Sequence, residues 1–219
     1  ATDSNNASKA ESFTITVNNV NDAAVITAPA GAITEGDATV SGTATHTDVD
    51  SDNVDDTFNA VTDVATTYGT YSVTAGGAWT YTLDNTNTTI DALTTAETTT
   101  DTITVTAEDG TTKDVMITIT GTNDAPTLST AITDTSINED ATYSYDASAN
   151  FNDVDVGDTL SYSATLADDA ALPSWLSINS TTGVLSGTPE NGDVGGIAVK
   201  VTATDGDASV SDTYTLTVV

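Results

Sequence analysis

Residues 76–85 read Gly76-Gly77-Ala78-Trp79-Thr80-Tyr81-Thr82-Leu83-Asp84-Asn85. Trp79, Tyr81 and Leu83 occupy alternate positions with threonine between them, and turn-forming residues bracket the run. Side chains of a strand alternate between faces, so this segment has one apolar face and one hydroxyl-bearing face. The pattern returns at Ile103/Val105/Ala107, Val115/Ile117/Ile119, Leu160/Tyr162/Ala164, Val199/Val201/Ala203 and Tyr214/Leu216/Val218. Gly, Asp and Asn turns separate such runs by about 8–12 residues, the spacing of a β-sandwich. Threonine fills 48 of the 219 positions, and its β-branch suits an outward pleated face. A composition this rich in Thr and poor in Leu, Glu and Lys argues against helices. Only Ile90–Ala96 departs, as a short helical turn or a loop. The chain is expected to be all-β.

Outward from that run, acidic motifs recur in fixed order. Asn21-Asp22-Ala23 returns as Asn123-Asp124-Ala125, 102 residues later. Asp48-Val49-Asp50 returns as Asp153-Val154-Asp155, and Thr34-Glu35-Gly36-Asp37 loosely as Asn138-Glu139-Asp140. Ala1-Thr2-Asp3, Ala107-Glu108-Asp109-Gly110 and Ala203-Thr204-Asp205-Gly206 each precede a closing alternating run. These repeats divide the chain into 1–22, the last strand and linker of a preceding unit, a complete unit at 23–125, and a second at 126–219. The segment 1–22 leaves Phe13, Ile15 and Val17 without a core of their own. Two outcomes are open for it: disorder, or strand addition to an exposed sheet edge of its own or a neighbouring chain.

The formal charge is −30, from 33 acidic groups against three lysines. Nucleic acid and anionic membrane are polyanions, and such a chain is expected to avoid both. With no cysteine there is no disulfide, zinc thiolate or thiol nucleophile. No apolar run approaches the roughly 20 residues of a membrane span, so no insertion is expected. The start lacks a basic-then-apolar signal pattern, so the chain reads as a segment of something longer.

The remaining chemistry is that of carboxylates. Asp48, Asp50 and Asp52 stand at every second residue, and Asp153, Asp155 and Asp158 nearly so. That spacing lets oxygens converge on one hard cation, and Ca²⁺ takes six to eight oxygen ligands at about 2.3–2.6 Å. An EF-hand would need Gly and Glu where Asn53 and Asn59 stand. In a sandwich, the loop holding Asp48, the turn holding Asp109 and the incoming linker share one pole. This gathers Asn21, Asp22, Asp48, Asp50 and Asp109 into one candidate Ca²⁺ site. Asn123, Asp124, Asp153, Asp155 and Asp205 form the other. Single Asp and Asn residues form turns just as well; the case for metal rests on the repeated set.

Specific motifs carry a family resemblance. Tyr68-Gly69-Thr70-Tyr71, the 76–85 run and Gly121-Thr122-Asn123-Asp124-Ala125-Pro126 make 23–125 similar to a VCBS repeat of large bacterial surface adhesins. Asp153-Val154-Asp155-Val156-Gly157-Asp158-Thr159-Leu160, Leu172-Pro173-Ser174-Trp175-Leu176 and Thr182-Gly183-Val184-Leu185-Ser186-Gly187-Thr188-Pro189 make 126–219 resemble a dystroglycan-type cadherin-like (CADG) domain. The resemblance implies tandem Ig-like/cadherin-like Greek-key β-sandwiches, Ca²⁺-rigidified and extracellular, as in RTX-type adhesins exported to the bacterial surface. Carried over from cadherins, it assigns Glu35 to the junction at Asn123-Asp124, and Glu139 and Glu190 to the C-terminal pole. Neither linker carries a full Asp-x-Asn-Asp-Asn string. The first unit lacks a clear second pole acid, for which Asp84 and Asp91 are candidates. The glycine-rich nonapeptides of toxin-like repeats are absent.

Other residues read plainly. His46, the sole histidine, has no nucleophile beside it in any motif and is expected on a strand surface. Trp79 and Trp175 sit in apolar patterns and are expected in cores rather than on sugars. Carboxylate pairs without a cleft do not make a glycosidase, and Lys113 and Lys200 read as solvated lysines rather than isopeptide partners. The expected function is a non-enzymatic spacer whose partners are the neighbouring repeat domains. The alternative is a module that binds polysaccharide or a surface protein, which exposed coplanar aromatics would favour. Homophilic contact is a third reading, opposed by the charge.

Overall fold

The computed structural model describes residues 10–17, 20, 22–49 and 57–219. The first unit holds β1 (Val25–Thr27), β2 (Gly31–Thr34), β3 (Thr39–Thr43), β4 (Thr45–Thr47) and β5 (Val61–Ala65). It continues with β6 (Gly69–Val73), β7 (Ala78–Leu83), β8 (Thr98–Thr106) and β9 (Thr112–Thr120). Its sheets run β3-β7-β6-β5 and β2-β9-β8, with β1 and β4 paired as a separate ribbon. The second unit holds β10 (Thr127–Leu128), β11 (Thr135–Ile137), β12 (Tyr143–Asp146), β13 (Phe151–Asn152) and β14 (Ser161–Leu166). β15 (Leu176–Ile178), β16 (Val184–Gly187), β17 (Gly195–Thr204) and β18 (Ser209–Val218) complete it. Its sheets run β11-β18-β17-β14 and β12-β16-β15, with β10 and β13 as a ribbon. In both units an early strand joins the closing strand in parallel, β2 on β9 and β11 on β18.

The alternation seen in the sequence fixes which faces meet. Trp79, Tyr81 and Leu83 point inward from β7, and Ile103, Val105, Val115, Ile117 and Ile119 pack from β8 and β9. Tyr143, Leu185, Val199, Val201, Tyr214 and Leu216 build a second core. Each fully buried large side chain contributes about 1.5–3 kcal/mol. Trp79 is buried, and Trp175 is half-buried against the second core. The Ile90–Ala96 region is a run of turns anchored by the fully buried Ile90.

The units differ in one strand. β14 pairs with β17 over six residues in the second unit. In the first, a left-handed Asp63 (φ 50°) accompanies a register shift between Val61 and Val64, and β5 pairs with β6 of the facing sheet instead. Among the described residues only Phe58 bridges the free side of β8, at Ala107. Asp101 on β8 occupies the gap, 5% exposed. Its carboxylate accepts from Tyr81 Oη (2.9 Å), Tyr68 N–H (2.9 Å) and Thr102 N–H (2.8 Å). Burial pushes this carboxyl up, but the donors around it more than offset that and hold it below the usual range. Burial and the neighbouring Asp101 raise the Tyr81 phenol in turn.

Among the described residues, the strand expected before residue 22 is absent. Ala10–Val17 carry no strand, and Phe13, Ile15 and Val17 are 82%, 72% and 87% exposed. Strand geometry needs a hydrogen-bonded neighbour, and this segment adds to no sheet edge of its own chain.

Replacing Asp101 by Ala strands the Tyr81 hydroxyl and the Tyr68 amide inside the first unit. We expect a loss of about 2–3 kcal/mol, read from the urea midpoint, with Asp101→Asn intermediate. An unchanged midpoint would show that Asp101 does not hold the edge.

Candidate metal centre at the junction of the units

β2 runs beside β9, and the ladder extends one step when Glu35 N–H donates to Thr120 O at 2.8 Å. Glu35 therefore stands where β9 leaves for the linker, and its Oε2 accepts Thr122 N–H at 3.0 Å. Asp91 arrives from a turn in which the Asn87 carbonyl accepts both Ile90 N–H (2.9 Å) and Asp91 N–H (3.0 Å). Asp84, the other candidate for a second pole acid, instead accepts Thr86 N–H and hydroxyl and shapes the preceding turn. Asp124 follows on the linker. Glu35, Asp91 and Asp124 each offer a carboxylate oxygen, and these oxygens lie within 4.8 Å of one another.

The second unit reaches the same place. Asp124 N–H donates to Asp155 Oδ2 at 2.8 Å, and Asp155 N–H to Asp153 Oδ1 at 3.1 Å. Asn123 Nδ2 donates to Asp205 Oδ2 at 3.2 Å and to the Asp124 carbonyl at 2.9 Å. Val156 N–H crosses to the Ala92 carbonyl of the first unit at 3.1 Å. All five residues expected at this pole thus meet around one linker, with Glu35 and Asp91 facing them.

The electrostatics single out a subset. Asp124 Oδ2, Asp153 Oδ2 and Asp155 Oδ1 are buried and accept no hydrogen bond. Burial, then the nearby Asp91 and Asp153, push the Asp124 carboxyl above its usual value. Burial likewise raises Asp155, although the Asp124 amide opposes it, and Asp124, Asp153 and Asp158 add to the rise. Glu35 is raised by burial first, with Asp124, Asp91 and Asp155 contributing repulsion. Asp205 is held low instead, mainly by the Ala208 N–H. Oxygen-only carboxylate donors suit a hard divalent cation such as Ca²⁺ rather than a nitrogen- or sulfur-seeking metal. The residues present fit that group.

The other expected sites are less complete. Asn21 and Asp50 lie outside the described residues. Asp109 Oδ2 accepts Ala24 N–H at 2.8 Å, and this bond, followed by those from Thr111, holds its carboxyl low. Asp48 is half-buried just beyond β4, and Asp22 is exposed. At the opposite end of the second unit Glu139 N–H donates to Val219 O at 2.9 Å, copying Glu35 on Thr120. Glu139 Oε2 is buried without a hydrogen-bond partner. Asp140 N–H donates to Pro189 O, and the adjacent Glu190 exchanges capping bonds with Asp193. One expectation needs correction. His46 is half-buried and edge-on to Phe58 at 5.0 Å, rather than on a strand surface. Lys200 keeps solvent exposure and contacts the exposed Asp169.

The direction of these shifts sets the pH dependence of stability. Groups whose folded pKa is raised bind more protons folded than unfolded, so stability falls as pH climbs through those values. Without cation, acidification toward the ordinary carboxylate values should raise the melting temperature, because Glu35, Asp124 and Asp155 take up protons above those values. Asp101, Asp109 and Asp205 act oppositely. Their contribution is lost as pH falls below the ordinary Asp value of 3.8. Asp124→Asn should weaken that gain on acidification, and an unaltered gain in calorimetry would count against the cluster.

Comparison with known proteins agrees with the fold. The family model of the bacterial cadherin-like domain matches residues 21–121, and the model described as "Putative Ig domain" matches 125–219. No curated protein matches the chain. Among solved structures, the protocadherin gamma B4 extracellular domain aligns with TM-score 0.57 and 15% identity, over 90% of this chain and 33% of its own. Protocadherin gamma B2 domains 1–5 align with TM-score 0.57 and 14% identity, over 91% of this chain and 41% of theirs. Domains 3–6 of the same protein give 0.55 and 14%, over 91% and 51%. The chain thus spans about half or less of each, and identities at this level speak for fold alone. No helix among the described residues is long and apolar enough to cross a membrane. By fold, the chain is a tandem of cadherin-like and Ig-like β-sandwiches, each unit similar to one of these two family models.

Proposed function

We propose that this chain is a Ca²⁺-clamped extender within a large bacterial cell-surface adhesin, with VCBS-like and CADG-like units as its links. The observation that carries the reading is the meeting of Glu35, Asp91 and Asp124 within 4.8 Å, tied to the second unit through Asp124 N–H and Asp155. Two carboxylates at that distance repel by about 3 kcal/mol at an effective dielectric near 20. A divalent cation turns that repulsion into shared coordination across the linker and makes a hinge into a rod. Glu35, Asp91, Asp124, Asp153 and Asp155 would hold it, with Asn123 and Asp205 completing the linker. The neighbouring repeat domains are the partners of such a segment. An extracellular, RTX-type surface setting follows from Ca²⁺ dependence, because the segment stays soft where Ca²⁺ is scarce and stiffens where it is abundant.

A polysaccharide-binding role has less support. In the two sandwiches every described Trp and Tyr is buried or half-buried, and the outward faces are threonine and acid.

Extracellular modules of this kind bind Ca²⁺ with dissociation constants of about 10⁻⁴–10⁻³ M. At ten times that concentration each site adds RT ln 11, about 1.4 kcal/mol, or a few degrees in melting temperature. Small-angle scattering and thermal unfolding with chelator and then with millimolar Ca²⁺ test the proposal. A sharper, longer maximum dimension together with a higher melting temperature is expected, both lost in Asp155→Asn. Identical curves in the two buffers would end the extender reading.

A further inference from the structure

One turn at the junction carries both the acid and the link to the second unit. Leu93 N–H returns to Ile90 O at 3.0 Å, and Ile90 is fully buried, so the inner side of the 87–93 turn is fixed to the first core. Asp91 contributes its carboxylate to the cluster with Glu35 and Asp124. The very next residue, Ala92, accepts the amide of Val156 at 3.1 Å. A shift of this backbone therefore moves the acid and the interunit hydrogen bond together.

The seat of the turn is Gly121. A Cβ on Gly121 would stand 2.3 Å from Leu93 O and 2.4 Å from Leu93 Cβ. Such approaches do not occur in folded proteins, so any side chain at 121 displaces the Leu93 backbone. The glycine cannot retreat easily either. Its own N–H donates to Glu97 O at 2.9 Å, and the next amide, of Thr122, donates to Glu35. The requirement here is space rather than an unusual backbone angle.

We infer that the 87–93 turn is the coupling element of the junction and that Gly121 is its positioning residue. The contact of Leu93 with Gly121 sets Asp91 beside Glu35 and Asp124 and, through Ala92, sets the amide of Val156. Cation occupancy and the angle between the units are then one variable. The inference rests on the Ca²⁺ reading above.

The test uses the whole 219-residue chain, with Ca²⁺ calorimetry and amide exchange by NMR. In the wild type, Ca²⁺ should slow exchange at Val156. Gly121→Ala should lose about tenfold or more in Ca²⁺ affinity, the usual range for residues that orient metal ligands. Its Val156 amide should exchange fast with or without Ca²⁺, while Ile117 and Ile119 keep their protection in chelator. Asp91→Asn should abolish the Ca²⁺ response at Val156 yet keep the chelator value. If Gly121→Ala does not fold, Leu93→Ala, which removes the side chain that packs the turn on the first core and adds no clash at Gly121, should weaken affinity and speed Val156 exchange. Wild-type affinity with wild-type Val156 protection in either folded variant overturns the inference. So does a loss at Val156 matched by loss at Ile117 and Ile119, because that is a general destabilisation. A wild type that takes up no Ca²⁺ overturns the reading of the site itself, before any variant is made.

Discussion

Repulsion among carboxylates held at a linker is the constraint around which this molecule is arranged. Each acid is fixed at its root by backbone. Glu35 extends the β2–β9 ladder, Asp91 closes a hydrogen-bonded turn, and Asp155 is tied to the amide of Asp124. The charges therefore cannot spread without giving up secondary structure. Burial raises Glu35, Asp124 and Asp155 further, while Asp205 and Asp109 are supplied with donors and held low. The division is physical. Asp109 and Asp205 have donors on both carboxylate oxygens, whereas Asp124, Asp153 and Asp155 each keep one buried oxygen without a hydrogen-bond partner.

The sandwiches serve as rigid mounts for that arrangement. Their cores are filled by large side chains on alternate positions, and threonine covers the outer faces. The two mounts are not copies. The second unit seats β14 against β17, whereas the first sends β5 to the opposite sheet and leaves Asp101 to bind the edge. A buried carboxylate with donors from Tyr81, Tyr68 and Thr102 substitutes polar bonds for a missing ladder. It also places a charge just inside an open edge, a known deterrent to unwanted strand pairing.

Much of this was legible in one dimension. Period-two runs such as Trp79/Tyr81/Leu83 announce strands because an apolar face must be buried and only one period serves it. The repeated Asn-Asp and Asp-x-Asp motifs point to one pole because sandwich loops alternate between ends. Other features were hidden. Asp91 sits in a turn whose acid could equally have been Asp84, and only the fold of 87–93 brings one of them to the linker. His46 lies between the exposed Thr45 and Thr47 on the side of the buried Ala44, and Phe58 stands edge-on against it. The run at Phe13, Ile15 and Val17 has perfect strand patterning and forms no strand, because pattern supplies a face but not a neighbour.

The sequence by itself determined the all-β class, the order of the units and the presence of a carboxylate-rich linker, since these depend on local periodicity and composition. Tertiary structure alone decided which acids meet, which strand changes sheet, and why residue 121 must be glycine. Those outcomes depend on distances between segments far apart in the chain: Glu35 with Thr122, Leu93 with Gly121, Ala92 with Val156. Such distances exist only once both cores have closed.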